Sequence, residues 1–377
     1  MGRRCRAIIP AGPVAGTRGV DMAKRGIDAG QTVTVMIASP LEAEHAARIA
    51  RVEPGRVELV YRPDLVPPVR YVGDHGGEPG WRRTAAQEAE WRGLLRRAEV
   101  LWDFAVAADA GPLALSPGLR WVQTTSAGVG QDVKRLGLHE SDVIVTTASG
   151  VHAQPLAEFV FAALLSHTKR FAHLQTEQRA RHWERFCTRE LRGQTMAIVG
   201  PGRVGREVAR IARCFGMTVW ATARESTPSR AEALGVDRLF SRRELRTMLA
   251  GADCVVLSTP HTPETEGLIG REEIAALKPS VVLVNIARGV VVDEDALIDA
   301  LRERRLAFAA LDVFRTEPLP IDSPLWSLPN VLINPHSAST ADSENGKITD
   351  LFVANLRHYL AGDVDRMQPV LDKARLY

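Results

Sequence analysis

No block of Lys and Arg after the N-terminus, no long apolar run and no cysteine pattern marks this chain. Its 48 Lys and Arg stand against 45 Asp and Glu, so the formal charge is only +3 over 377 residues. That balance gives no strong sign of a nucleic-acid partner. No segment has the apolar core of a signal peptide or the length of a membrane span. The four cysteines, Cys5, Cys187, Cys214 and Cys254, lack metal-ligand spacing. We therefore expect neither a zinc site nor a disulfide framework, and a reducing cytoplasm as the setting. Cys214 and Cys254 fall in patterned helix and strand, where buried free thiols are ordinary. Residues 1–30 hold Arg3, Arg4, Arg6 and Arg18 and no acidic residue before Asp21. The segment reads as a loosely ordered extension or an over-long gene start, with an added strand as the alternative.

What is present is alternation. The length exceeds what one core usually serves, so two domains are expected. Strand patterns at Thr32–Ala38, Val57–Tyr61, Val100–Ala105 and from Trp121 alternate with helical patterns after Pro40 and over 84–97. A mostly apolar helix, Leu156 to Lys169, then leads into a second alternating unit. Its strands are expected at 196–199, Thr218–Ala221, Val255–Ser258, Val281–Ile286 and Leu306–Leu311. Ser241 with Glu244 forms a capping-box pattern before Leu245. Near Val331–Pro335 the chain is expected to cross back, so that a last helix, about 344–360, packs on the first domain. The fold class is α/β: two Rossmann-like domains, each a parallel sheet with helices on both faces, joined by two crossovers around a cleft. The divisions expected are an extension at 1–30, a discontinuous substrate domain at 31–153 and 335–377, and a dinucleotide domain at 154–334. Trp81, Trp91, Trp102, Trp121 and Trp183 read as packing residues.

Between strand 196–199 and its helix lies Gly200-Pro201-Gly202-Arg203-Val204-Gly205. A glycine turn between a strand and a helix aims backbone N–H groups at a pyrophosphate. The first glycine makes the turn, the second lets the phosphates approach and the third lets helix and strand pack. Three ionisable residues follow later strands: Arg288, Glu317 and His336. In open α/β sheets ligands bind beyond the carboxyl ends of the strands, so all three can reach one cleft. From spacing alone, a surface ion pair and a satisfied loop histidine explain them as well.

From about Thr32 to Gly362 the chain resembles the D-isomer-specific 2-hydroxyacid dehydrogenase family. The resemblance is carried by the glycine turn, Leu277-Lys278-Pro279, Asn285-Ile286-Ala287-Arg288-Gly289, Leu311-Asp312-Val313-Phe314 with Glu317-Pro318, and Pro335-His336. Ser258-Thr259-Pro260 and Thr262-Pro263-Glu264-Thr265 add to it. It implies a split catalytic domain around a Rossmann domain, a homodimer, and a nicotinamide coenzyme held by Gly200 to Gly205, Thr259, Pro260, Ile286, Ala287, Asp312 and His336. Asp312 either faces the carboxamide or closes a turn. On this reading the guanidinium of Arg288 grips the keto oxygen and a carboxylate oxygen of a 2-keto acid. His336 exchanges a proton with the substrate oxygen, and Glu317 favours the imidazolium. The backbone of Ser126, Ala127, Gly128 and Val129 forms a nest for the substrate carboxylate. The family commonly carries Asp directly after Gly-Val here; this chain has Gly130.

An acidic residue about 20 positions after the glycine turn suits NAD, whereas arginine suits NADP. The family's usual Asp aligns with Ala223, and Arg224 follows, with Thr222 as a possible phosphate ligand. The reading therefore leans to NADP, with NAD through Glu225 as the alternative, and to no metal. The expected activity is interconversion of small 2-keto acids, such as glyoxylate or hydroxypyruvate, with D-2-hydroxy acids. Two rivals stand beside it: a coenzyme-sensing protein of the same fold, and a dehydrogenase for formate or phosphite.

Overall fold

The structure is a computed structural model that describes residues 30–376 except 106, 108, 109, 224 and 225. Cys5 and the whole of the proposed extension but Gly30 lie outside the described residues. Two wholly parallel sheets divide the chain. The first contains β1 (Val33–Ile37), β2 (Val57–Val60), β3 (Val100–Trp102), β4 (Trp121–Gln123) and β5 (Ile144–Thr146), in the order β2-β1-β3-β4-β5. The second contains β6 (Thr195–Val199), β7 (Thr218–Thr222), β8 (Arg238–Phe240), β9 (Cys254–Leu257), β10 (Val282–Asn285), β11 (Phe308–Leu311) and β12 (Val331–Ile333). Its order is β12-β11-β10-β9-β6-β7-β8. Both are doubly wound orders, which open a ligand crevice where the direction of winding reverses. In the second sheet that point lies between β6 and β9.

Burial explains why the second sheet reads so clearly. Cys254–Leu257 and Val282–Asn285 are buried at every position, as central strands covered on both faces must be. Helix Arg203–Cys214 turns Val208, Ala209 and Ala212 to the sheet and its arginines to water. Helix Ala153–Thr168 leaves the first sheet and packs on helix Arg203–Cys214 and on β10 and β11.

The return crossing closes the first sheet. Helix Glu344–Leu360 packs on helix Ala43–Ala50 and drives Phe352 and Tyr359 against two core tryptophans. Phe352 stacks on Trp121 at 4.9 Å and meets Trp102 edge-on at 5.5 Å. Such pairs contribute about 1 kcal/mol each beyond area burial. The tail after that helix pairs with β5: Leu371 N–H donates to Val145 O and Thr147 N–H to Pro369 O. The two crossings also touch, His152 Nε2 lying 3.0 Å from Glu344 Oε1. No helix among the described residues is long and apolar enough to cross a membrane.

The structure corrects two expectations. Cys214 is exposed, on the solvent face of its helix, whereas Cys254 is buried and its thiol is pushed up to about 12 by that burial. Trp91, Trp102 and Trp121 do pack in the core, but Trp183 is 94% exposed. It follows helix Phe171–Ala180, which has no buried residue.

Candidate active site

β10, β11 and β12 are adjacent in the sheet, about 5 Å from strand to strand. Arg288, Glu317 and His336 each follow the C-terminal end of one of them, so the topology brings the three to one edge. Around Arg288 the turn is built by a buried asparagine. Asn285 Oδ1 accepts from Ala287 N–H and its Nδ2 donates to Arg288 O. Ile286 and Ala287 are buried, so their side chains belong to the core and only their backbone faces the edge. The Arg288 guanidinium donates to Ala287 O at 2.7 Å and lies half-buried. Burial lowers its pKa, with Glu317 and Asp312 opposing that shift, and arginine stays charged throughout.

His336 Nδ1 lies 2.7 Å from Glu317 Oε2, and the second carboxylate oxygen accepts from Phe314 N–H at 3.0 Å. With Nδ1–H donating to the carboxylate, Nε2 is the nitrogen left for an external proton transfer. The hydrogen bond that His336 donates to Glu317 raises the His336 pKa above its ordinary value and outweighs burial. Burial pushes Glu317 up, but its bonds to His336 and Phe314 overcome this and leave its carboxyl below the usual range. His336 has φ +53°, a left-handed conformation that few side chains adopt. Strained backbone of this kind clusters at functional sites. Its loop is held by Asp312, whose Oδ1 accepts from Asn334 Nδ2 and Ala338 N–H, on either side of His336. Asp312 thus makes the bonds of the turn-closing role.

The loop after β4 approaches the same edge. Gly128 faces the Arg288 guanidinium so closely that a Cβ there would overlap Nη2. Ser126 O accepts from Ala148 N–H, Val129 is buried in the first sheet's core, and Thr125 Oγ1 donates to Asp103 Oδ2. Asp103, which sequence reasoning missed, stands at φ +67° just past β3 and props this loop. The departure at Gly130 has a cause far along the chain. A Cβ there would collide with the Leu376 carbonyl, because the C-terminal tail lies against the helix Gly130–Arg135.

On the other side of the crevice, Gly200 stands at φ +96°, and a Cβ would come within 2.7 Å of the Thr259 side chain and 2.9 Å of its backbone. Gly202 has open space where its Cβ would be, as a backbone that must admit phosphates requires. Thr259 Oγ1 is buried beside this turn with no hydrogen-bond partner among the described residues. Pro260 is exposed after it, Val204 packs on the core, and Arg203 reaches across to Gly150 of the first unit. The open turn and the orphaned hydroxyl fit a dinucleotide. Thr222 ends β7, and Arg224 lies outside the described residues. Among the described residues no group of three His, Cys, Asp or Glu is arranged to hold a metal.

The chain is similar to known proteins in sequence and in fold. Residues 161–338 match the model of the family described as D-isomer specific 2-hydroxyacid dehydrogenase, NAD binding domain. The chain is 38% identical over 265 residues to a glyoxylate/hydroxypyruvate reductase B of Pectobacterium carotovorum subsp. carotovorum (strain PC1), covering 68% of this chain and 80% of that one. It is 40% identical over 263 residues to a D-3-phosphoglycerate dehydrogenase of Mycobacterium leprae (strain TN), covering 69% of this chain and 48% of that protein. The chain thus spans about half the length of the phosphoglycerate dehydrogenases it matches. A solved D-isomer specific 2-hydroxyacid dehydrogenase from Xanthobacter autotrophicus Py2, in complex with NADPH and MES, superposes with a TM-score of 0.71 at 28% identity, over 92% of this chain and all of that one.

Proposed function

The chain belongs to the D-isomer specific 2-hydroxyacid dehydrogenase family, and from that membership we propose that it is an NAD(P)-dependent oxidoreductase interconverting small 2-keto acids and D-2-hydroxy acids. The observation that carries this reading is the convergence of Arg288, the Glu317–His336 pair and Gly128 at one sheet edge. When bound, the nicotinamide supplies or accepts a hydride. Arg288 orients a keto acid by its carbonyl and carboxylate oxygens through its rigid fork. The backbone from Ser126 to Val129 holds the substrate carboxylate. His336 gives its Nε2 proton to the carbonyl oxygen in reduction and takes it back in oxidation. Glu317 holds the ring and keeps the imidazolium available near neutral pH. Arg203 and the turn Gly200 to Gly205 hold the pyrophosphate.

The unit assigned to substrate is 31–153 with 335–377, and that assigned to the coenzyme is 154–334. NADP is the coenzyme favoured. Ala223 offers no carboxylate to repel a 2′-phosphate, and a 28%-identical neighbour was solved with NADPH. A homodimer is the assembly proposed. Helix Phe171–Ala180 buries none of its residues; Phe171 and Leu174 on it and Trp183 just after it are exposed. The cytoplasm suits the exposed thiols of Cys187 and Cys214. The test is a substrate panel of glyoxylate, hydroxypyruvate, larger 2-keto acids, formate and phosphite, run with both coenzymes in both oxidation states. Turnover of 2-keto acids is the expected result. Coenzyme binding with no turnover anywhere on the panel would reject an enzyme, and turnover of formate or phosphite alone would replace the substrate class.

A further inference from the structure

Resting on the NADP reading above, we propose that Arg243 is a second ligand for the adenosine 2′-phosphate, delivered by the turn after β8. The ligand class is a 2′-phosphorylated adenine nucleotide. β7 and β8 pair Ala221 with Leu239 and Thr222 with Phe240, and Ala223 N–H still donates to Phe240 O at 3.0 Å. Ser241 therefore lies beside Ala223, the position from which an acidic side chain would hold the ribose hydroxyls of NAD. The next two residues are Arg242 and Arg243. Neighbouring strands are about 5 Å apart, a gap an extended arginine spans.

The arginines here are not equivalent. Arg242 donates to the carbonyl of Glu264, in the segment after β9, and so pins the turn to the opposite wall of the crevice. Arg246, one helical turn on, is held by Glu272 and Glu273. Arg238 lies over the Phe240 ring at 4.2 Å. The turn's own carboxylate, Glu244, is folded back on Ser241, accepting from its N–H at 2.9 Å and from its hydroxyl at 2.7 Å. All four arginines are exposed, but Arg243 alone makes no hydrogen bond, ion pair or ring contact with any described residue. A groove of about 460 Å³ beside Arg242 and Arg243, floored by Leu245 and Leu268, gives its side chain room to move. A planar guanidinium on a pinned turn, with no carboxylate engaged, is suited to the bidentate grip phosphate rewards.

The experiment measures kcat/KM with NADPH and NADH, and calorimetric binding of 2′,5′-ADP against 5′-AMP, for the full chain and for Arg243→Gln and Arg246→Gln. Arg243→Gln should lower the NADPH-to-NADH ratio about ten-fold, mainly through the NADPH KM, and weaken 2′,5′-ADP by a like factor and 5′-AMP by less. Arg246→Gln should move the ratio much less. An unchanged ratio for Arg243→Gln, in a parent that prefers NADPH, overturns the role of Arg243 and leaves the coenzyme reading standing. Equal falls for both variants also overturn it, since a diffuse positive field then explains the preference. A parent that prefers NADH and binds 2′,5′-ADP no better than 5′-AMP overturns both.

Discussion

The two walls of the crevice use glycine for different reasons. In the turn after β6, Gly200 is required by its own backbone, at φ +96° with Thr259 packed against it. In the loop after β4, Gly128 and Gly130 are required by visitors: the Arg288 guanidinium from the other sheet and the Leu376 carbonyl from the tail. One wall is a local device that a strand-turn-helix specifies alone. The other exists only once distant segments have arrived. The coenzyme wall should therefore fail as a fold, and the substrate wall should fail as chemistry.

The sharpest attack on that division is His336→Ala. General acid–base groups contribute about 10²- to 10⁴-fold, so kcat should fall by roughly 10³ while coenzyme affinity, by fluorescence titration, stays near that of the parent. Equal loss of affinity would show that the walls are not separable. Next is Gly128→Ala. The added methyl displaces a flexible guanidinium from an exposed loop, so kcat/KM for a keto acid should drop by about 10² through misplaced Arg288, with little change in Tm. A large fall in Tm would place Gly128 with Gly200 instead. Gly200→Ala is the converse: we expect about 2–3 kcal/mol lost in urea unfolding from the disallowed φ and the clash with Thr259, and weak coenzyme binding. The mildest change is Glu317→Gln. Glu317 raises the His336 pKa, and reduction needs the protonated ring, so reduction fades as pH rises through that raised value. Without the carboxylate the fading limb in kcat should move to lower pH. A limb that stays in place would mean another group sets the acid.

Legibility followed the same divide. Buried strands such as Val282–Asn285, the helix Arg203–Cys214 and the Ser241–Glu244 cap declare themselves in contiguous residues. The return of the helix Glu344–Leu360 to the first sheet was also readable, because its pattern followed a strand that ended the second unit. Other elements carried little signal. β5 has three residues, β8 begins with an exposed arginine, and helix Phe171–Ala180 turns no residue to the core, so none shows a strong apolar period. In the site, Glu317 and His336 were visible through their motif. The props were not: Asp103 under Thr125, Asn285 inside the Arg288 turn and Leu376 over Gly130 are set by approach in space.

The last long helix has a consequence for biosynthesis. Trp102 and Trp121 leave the ribosome well before Phe352 and Tyr359, the rings that cover them. Throughout translation of the intervening unit the nascent first sheet exposes an oily flank to the crowded cell, where such surfaces aggregate or recruit chaperones. The order of segments thus leaves the first sheet incomplete until the second unit has been made.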